Sequence, residues 1–143
     1  MKLLILNGPN LNMLGIREKH LYGTQTYEDL ELYILNKARE LDIDVEVYQS
    51  NHEGELVDKI QSAYGKMDGI IINPAAYTHT SVAILDALKA VNLPAAEVHL
   101  TDITKREAFR QISYAGMACQ AHFMGLGIAG YGKALEWMKE HIE

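Results

Sequence analysis

The stretch GIIIN (residues 69–73) is the clearest buried strand in the sequence, since three consecutive β-branched isoleucines follow a glycine with no polar residue among them. An amphipathic segment at 53–66 precedes it, and a helix is predicted to follow it at 81–91. A strand between two helices is the repeating unit of a parallel sheet with helices packed on its faces. The stretch therefore predicts an α/β fold.

The same alternation continues from this strand toward both ends of the chain. Four more strands and two more helices are predicted, together with a short helical segment: strands at 3–6, 43–48, 95–100 and 119–127, helices at 26–41 and 131–142, and helical turns at 101–109. The order β-α-β-α-β-α-β-(α)-β-α predicts a single doubly wound domain over 1–143, with a five-stranded parallel sheet and helices on both faces. We expect a flavodoxin-like strand order, 2-1-3-4-5.

The composition limits the classes of partner. The chain has 143 residues, of which 22% are charged, and its formal net charge is −6. A nucleic-acid-binding protein is expected to present a basic face, so no nucleic-acid partner is indicated. An anionic small molecule is compatible with this charge, because a pocket can be locally positive on an acidic protein.

Nothing in the sequence indicates a membrane or an oxidising compartment. No apolar run reaches the roughly 20 residues that a membrane helix needs, and the apolar start MKLLIL (1–6) is too short for a secretory signal. The one cysteine, Cys119, lies in the apolar run CQAHFMG and is interpreted as a core thiol. We therefore expect a cytoplasmic protein.

The predicted fold also indicates where a ligand would bind. In open parallel sheets, ligands bind outside the carboxyl ends of the strands, near the point where the strand order reverses. Asn7, Asn73 and His99 follow or end strands one, three and four. The long irregular loop 8–25 leaves from the same edge, so this edge is the predicted site.

Within that loop, Arg17 and Tyr22 could be ordinary surface residues, and for a random pair this is the favoured interpretation. A functional alternative is a general base. A guanidinium beside a tyrosine favours the phenolate, which lowers the pKa from its usual value of about 10. A tyrosinate next to a substrate can take a proton from carbon, although the spacing alone does not establish this role.

Glu97 and His99 lie two residues apart at the end of the fourth strand, so their side chains are expected on the same face. Glu97 could then orient His99, as carboxylates do for many working imidazoles. The alternative is a histidine at a strand end that is satisfied by backbone groups. Function is slightly favoured because this strand end lies at the predicted ligand edge.

Other polar residues have a ready structural explanation. Asn10 and Asn73 suit turns, the more usual role of a single asparagine, and His79, close to a predicted helix start, suits a capping or loop role as well as a functional one. Asp86 falls in the middle of a predicted helix, where a solvated or interface acid is the favoured interpretation, and Arg110 suits an exposed surface. The argument for function at Asn10, Asn73, His79 and Arg110 is their position near the predicted edge.

Cofactor sites are not indicated. The histidines at 20, 52, 79, 99, 122 and 141 lack metal-ligand spacing. GLGIAG (125–130) has the spacing of a dinucleotide loop but lacks the following βαβ unit. Thr101 and Asp102 precede the segment ITKREAF (103–109), which is predicted to be helical. Their side chains could cap this segment, and the free backbone N–H groups at its start could bind an anion.

Five segments of the sequence together resemble type II 3-dehydroquinate dehydratases: LNGPNLNMLGIREKHLYG (6–23), INPAAYTHTS (72–81), EVHL (97–100), REAFR (106–110) and GLGIAGY (125–131). The resemblance spans nearly the whole chain, and its first segment is long and specific. It implies an anti elimination of water from 3-dehydroquinate, a small anionic substrate, to give 3-dehydroshikimate through an enolate. It also implies a shikimate-pathway lyase without cofactor or metal.

The resemblance implies roles in the chemistry for five residues. Tyr22 would be the base that takes the proton from the carbon next to the ketone, with Arg17 holding it as the phenolate. Asn10 would help to position a water on the enolate oxygen. His99 would be the general acid for the departing hydroxyl, oriented by Glu97.

Substrate binding is implied for six more residues: Asn73, His79 and Arg110 at the hydroxyls, Leu100 and Thr101 at the carboxylate, and Asp86 donated across a subunit contact. The resemblance therefore implies a homo-oligomer, in this family usually a dodecamer of trimers. The sequence departs from the family pattern at Thr101-Asp102, where Ser-Asn is common, and at Ile112, where His is frequent.

Two other functions fit the same fold class. One is a flavodoxin-like binding or signalling domain without catalysis, which would need a phosphate-binding loop after strand one or aspartates at the strand ends. The other is a related lyase acting on a different hydroxy-ketone acid.

Overall fold

In the part of the chain that the structure describes, five parallel strands form one sheet in the order β2-β1-β3-β4-β5. The structure is a computed structural model that describes residues 1–16 and 25–142. The strands are β1 (Lys2–Asn7), β2 (Asp44–Gln49), β3 (Gly69–Asn73), β4 (Ala95–His99) and β5 (Ala121–Met124). The predicted strand order is confirmed, and the order reverses between β1 and β3.

Among the residues that the structure describes, four α-helices connect or follow the strands: α1 (Tyr27–Glu40), α2 (Glu53–Ser62), α3 (Val82–Val91) and α4 (Ala129–His141). Short 3-10 helices lie at Leu11–Met13, Ala75–His79, Ile103–Lys105, Ala108–Arg110 and Ala115–Ala118. Within the described ranges, no helix is long and apolar enough to cross a membrane.

The two faces of the sheet are covered by different pairs of helices. Alternate residues of β1 point to opposite faces, so Leu3 and Ile5 pack in one core with α1 and α4, and Leu4 and Leu6 pack in the other with α2 and α3. The prediction of helices on both faces is therefore confirmed. The helical spacing of Leu30, Ile34, Leu35 and Ala38 predicts that all four are buried on α1, and this is wrong for Leu35, which is 45% exposed.

The fifth strand is shorter than the predicted 119–127. It ends at Met124 because Gly125 and Gly127 adopt φ values of 76° and 60°, which leave the extended region. The Gly125 N–H donates to the carbonyl of His99 at 3.3 Å, so this turn lies against the end of β4.

The start of α1 is a capping box formed by Thr26 and Asp29. Thr26 Oγ1 accepts from the Asp29 N–H at 3.1 Å, and Asp29 Oδ2 accepts from the Thr26 N–H at 2.9 Å. This reciprocal capping box satisfies two donors that the first turn would otherwise leave unpaired.

The chain segments that follow β1 and β3 approach each other very closely. The Gly8 N–H donates to the Asn73 carbonyl at 2.8 Å. A Cβ on Gly8 would meet the Pro74 carbonyl, so only glycine lets the two loops approach this closely. This contact fixes the relative position of the loops that carry Asn10 and Asn73.

Candidate active site

A cleft opens at the carboxyl ends of β1, β3 and β4, the edge that the sequence predicts. Its walls come from the loops after these three strands and from the short helices beyond β4. The lining residues are Pro9, Asn10, Leu11, Asn73, Ala75, Ala76, His79, His99, Leu100, Thr101, Ile103, Arg106 and Arg110.

The Glu97–His99 pair lies at the end of β4 with its side chains on one face, as predicted. His99 Nε2 lies 2.8 Å from Glu97 Oε2, and the Ser113 hydroxyl donates to the same oxygen at 2.6 Å. Both members of the pair are buried. Burial raises the pKa of Glu97, but hydrogen bonds from His99, Ser113 and His122 outweigh it and hold the pKa at about 2. Glu97 is therefore a fixed negative charge behind the imidazole.

The Asn73 side chain is fixed at both ends. Its Oδ1 accepts from the Ala75 N–H at 3.1 Å, and its Nδ2 donates to Tyr131 Oη, also at 3.1 Å. The Tyr131 hydroxyl in turn donates to Asn7 Oδ1 at 2.6 Å. Burial raises the pKa of Tyr131, so this hydroxyl stays protonated and keeps donating. Asn73 is therefore held at the edge of the cleft by a buried polar network.

Asn10 adopts a left-handed backbone conformation, with φ of 70°. Asparagine tolerates this conformation better than most residues. The Asn10 N–H donates to Asn51 Oδ1 at 3.0 Å, and Gln49 Nε2 donates to the Gly8 carbonyl at 3.1 Å. Gln49 at the end of β2 and Asn51 just beyond it thus support the loop that carries Asn10, a contribution that was not predicted from the sequence.

His79 and Arg110 bring further polar groups to the cleft. His79 Nδ1 lies 2.8 Å from the Ile112 carbonyl, and Arg110 Nε donates to Glu107 Oε2 at 3.0 Å. Burial, and then the nearby His99, Arg110 and Arg106, lower the pKa of His79, although its hydrogen bond to Ile112 acts in the other direction. Since the contact with Ile112 uses the backbone, it does not depend on the side chain at this position.

Asp102 caps the short helix after β4. Its Oδ1 accepts from the Thr104 N–H at 3.0 Å and from the Thr104 hydroxyl at 2.6 Å. These hydrogen bonds lower the pKa of Asp102. Asp102 is not among the residues that line the cleft, whereas Leu100 and Thr101 are.

A family model described as "Dehydroquinase class II" matches residues 1–139. The chain belongs to the class II dehydroquinase family. It is 54% identical over 143 residues to a 3-dehydroquinate dehydratase from Caldicellulosiruptor bescii, and 50% identical over 142 residues to one from Clostridium acetobutylicum, each comparison covering 99% of both chains. The crystal structure of type II dehydroquinase from Butyrivibrio crossotus superposes with a TM-score of 0.94 at 49% identity, covering 96% of this chain and 97% of that one.

Two residues predicted from the dehydroquinase resemblance lie outside the described ranges. These are Arg17 and Tyr22, whose roles stay predictions. Asp86 is described, and its side chain is exposed on α3 without lining the cleft. The cleft of one chain thus brings together the predicted residues Asn10, Asn73, His79, His99, Leu100, Thr101 and Arg110, with Glu97 directly behind His99.

Arg106 was missed by the sequence reasoning although it lines the cleft of this dehydroquinase. The available signal was the first arginine of KREAFR (105–110), which lies four residues before Arg110, a spacing that places two side chains on one face of a helix. Tyr131 was also missed as a site residue, because only the folded sheet brings α4 to the ends of β1 and β3.

The described residues also bear on metal binding and on the cysteine. Within 1–16 and 25–142, no group of three or more His, Cys, Asp or Glu residues is placed to hold a metal ion. Cys119, interpreted from the sequence as a core thiol, is partly buried against one of the cores. Burial, with a smaller contribution from Glu97, raises its pKa to about 12, so the thiol is not activated.

Proposed function

We propose that this chain is a type II 3-dehydroquinate dehydratase, a hydro-lyase that converts 3-dehydroquinate to 3-dehydroshikimate by anti elimination through an enolate. One observation carries the proposal beyond family membership: the buried Glu97–His99 pair ends at a cleft lined by Arg106 and Arg110. That arrangement suits acid catalysis on a small anion. The proposed activity resides in a single catalytic domain over 1–143.

His99 is the proposed general acid. Elimination of water requires a proton on the departing hydroxyl, and histidine is the side chain that most often supplies one near neutral pH. The ionised Glu97 carboxylate accepts a hydrogen bond from His99 Nε2 and so fixes the plane of the imidazole ring. The Ser113 hydroxyl donates to the same carboxylate oxygen and so helps to fix the position of Glu97 relative to His99.

Tyr22 is the proposed base, held as a phenolate by Arg17. The sequence segment 6–23 supports this assignment. The base takes the proton from the carbon next to the substrate ketone, and the electron pair moves onto the ketone oxygen to give the enolate. Asn10, at the cleft, is proposed to position a water that hydrogen-bonds this oxygen and stabilises the transition state more than the ground state.

The remaining cleft residues are proposed to orient the substrate. Leu100 and Thr101 would bind the carboxylate through backbone and hydroxyl donors, and Asn73, His79 and Arg110 would bind hydroxyl groups. Asn73 is the best supported of these, since its amide is already fixed by Tyr131. Preorganised donors lose less freedom on binding, which favours the reactive geometry.

A homododecamer, a cytoplasmic location and a role in the shikimate pathway of aromatic amino acid biosynthesis complete the proposal. The exposed position of Asp86 on α3 is compatible with its donation to the site of a neighbouring copy.

The proposal is tested by nuclear magnetic resonance of the reaction product. We expect 3-dehydroshikimate to accumulate from 3-dehydroquinate, with turnover unaffected by borohydride because no imine forms. Lasting inactivation by borohydride in the presence of substrate would show a lysine imine and contradict the enolate route. If 3-dehydroquinate stays unchanged while another hydroxy-ketone acid is dehydrated, the substrate assignment is wrong.

A further inference from the structure

The buried Glu97 carboxylate contacts two histidines, one on each oxygen. Glu97 Oε2 lies 2.8 Å from His99 Nε2, and Glu97 Oε1 lies 2.5 Å from His122 Nδ1. The side chain of Glu97 is 2% exposed, that of His99 is 6% exposed, and that of His122 is 45% exposed. One carboxylate therefore connects the proposed acid in the cleft to a second imidazole that water reaches.

Strand pairing creates this arrangement. Glu97 lies directly opposite His122 in the β4–β5 register, so both side chains project from the same face of the sheet. The 3-10 helix Ala115–Ala118 closes over them. A Cβ on Gly116 would meet Glu97 Oε1 and also Ser113 Oγ at 2.8 Å. Only glycine at this position therefore lets the helix pack so closely against the Glu97 carboxylate. The Gly116 N–H donates to Ser113 Oγ at 2.9 Å, which completes the support of the carboxylate.

We propose that His122 is a positioning residue for the general acid: it holds Glu97 in place and, once protonated by solvent, competes with His99 for the single charge of that carboxylate. The proposal rests on the proposed function of His99. A neutral His122 donates one hydrogen bond from Nδ1. A second proton on its ring puts a positive charge beside Glu97, which weakens the hold of that carboxylate on a protonated His99.

Glu97 is the anion that His99 and His122 share, and another charge on the segments packed against these three residues could compete with it. The segment that covers the cluster, 113–120, contains Tyr114 and Cys119 as its titratable residues and carries no formally charged side chain. With its raised pKa, the Cys119 thiol stays neutral in the range of about pH 5–8 where histidines change charge. On α3, which packs behind this segment, Asp86 and Lys89 are both exposed to solvent.

Two substitutions separate the hydrogen bond from the charge. His122→Asn keeps an N–H donor at the position of Nδ1 but cannot be protonated, whereas His122→Val removes the donor and suits a strand. His141→Asn is the matched control, because His141 lies near the end of α4 with Nδ1 on the Trp137 carbonyl. The measurements are kcat and KM for 3-dehydroquinate across pH, together with the pH titration of the His99 ring by nuclear magnetic resonance.

We expect His122→Val to lower kcat about tenfold with KM within about twofold, because Glu97 Oε1 is left without its partner. His122→Asn should restore kcat. In the Asn variant, the pH above which kcat falls and the titration of the His99 ring should both move upward by about 0.5 unit or more, since the competing charge is gone. His141→Asn should match the unsubstituted protein in all measurements.

Three results would overturn the inference. They are unchanged kcat and pH profile in both His122 variants, an equal kcat loss in both without a pH shift, or a His99 ring titration that does not respond to His122→Asn. The ring titration is measured without substrate, so it judges the competition even if 3-dehydroquinate is not turned over. Absent turnover by the unsubstituted protein would count against the proposed function alone. If His122→Val does not fold, His122→Asn still decides the question.

Discussion

Glu97 is a negative charge that water hardly reaches, since the residue is 1% exposed. A buried carboxylate of this kind is costly unless several donors stabilise it. Here His99, Ser113 and His122 all contact it, and together they lower its pKa despite the opposing effect of burial. The folded state therefore favours the ionised form, and this preference has a consequence for stability.

The stability that ionised Glu97 contributes should be lost in acid. Its folded pKa of about 2 lies below the ordinary 4.5, so the contribution is fully present above about pH 4.5 and disappears as the pH falls through about 2. Its size is on the order of 3 kcal/mol at most. Glu97→Gln should therefore be less stable than the unsubstituted protein near neutral pH, with the difference shrinking in that window. Urea unfolding at several pH values measures it, and a pH-independent difference would contradict the account.

Removing the imidazole of His99 should affect the rate far more than the fold. We expect His99→Asn to lower kcat by about 10²–10⁴-fold, the usual contribution of a general acid, with a much smaller change in KM. His52→Asn serves as the control, because His52 is exposed at the start of α2. Steady-state kinetics decide the matter: near-normal kcat in His99→Asn would remove His99 from the role of acid.

At the residue scale, the pairing of Glu97 with His99 was predictable because the period of a strand places residues i and i+2 on one face. The contact of His122 with Glu97 was not, since it depends on how β5 aligns with β4. That register follows from the path of the chain between 100 and 120, which consists of short 3-10 helices and turns rather than a periodic element. No hydrophobic pattern specifies such a path.

At the element scale, the site depends on how closely the loops after β1 and β3 approach each other. Gly8 lies in this contact with no room for a Cβ beside the Pro74 carbonyl. The loop on one side carries Asn10, and the loop on the other carries Asn73 and the short helix that ends at His79.

Gly8→Ala should therefore damage stability and activity together. The added methyl group forces backbone apart, which costs about 1–3 kcal/mol by the usual range for overpacking, and it displaces Asn10 relative to Asn73. Gly54→Ala is the matched control. Nothing lies within 4 Å of a Cβ there, and alanine in a helix should add about 0.5–1 kcal/mol of stability.

Thermal or urea unfolding and kcat/KM measure both variants. A Gly8→Ala protein with unchanged stability and turnover would show that the close approach of the loops is not required.

The elements themselves were largely predictable, because β1 and β3 are continuous apolar runs and the α1 start carries a capping box. The end of β5 was not. The apolar character of the sequence continues through GLGIAG, and only the left-handed φ of its glycines shows that the strand has stopped. The same turn brings Tyr131 to Asn7 and Asn73, a contact between residues far apart in the sequence.

At the scale of the whole molecule, the formal net charge of −6 coexists with a cleft that is locally basic. Arg106 and Arg110 line the cleft, and their sign matches an anionic substrate. The overall charge of the sequence argued against nucleic acid but could not locate this patch, because the patch forms only when the short helices after β4 fold against the end of β3.

The proposed oligomer makes a further prediction at this scale. If twelve copies assemble, light scattering should give a mass near twelve times the 16.0 kDa of one chain. Asp86→Ala should lower kcat/KM if this side chain reaches the site of a neighbouring copy, and Lys89→Ala, an exposed change on the same helix, should not. A monomeric protein with full activity would contradict the assembly.

The proposed dehydration is tested by following the ultraviolet absorbance of the conjugated enone of the product after 3-dehydroquinate is added. We expect a steady absorbance rise with the unsubstituted protein, and a rate reduced by about 10²-fold or more in Tyr22→Phe and in His99→Asn, the proposed base and acid. Both variants should still bind the substrate. No rise with the unsubstituted protein at high enzyme concentration would contradict the dehydratase assignment, and undiminished rates in both variants would contradict the proposed site.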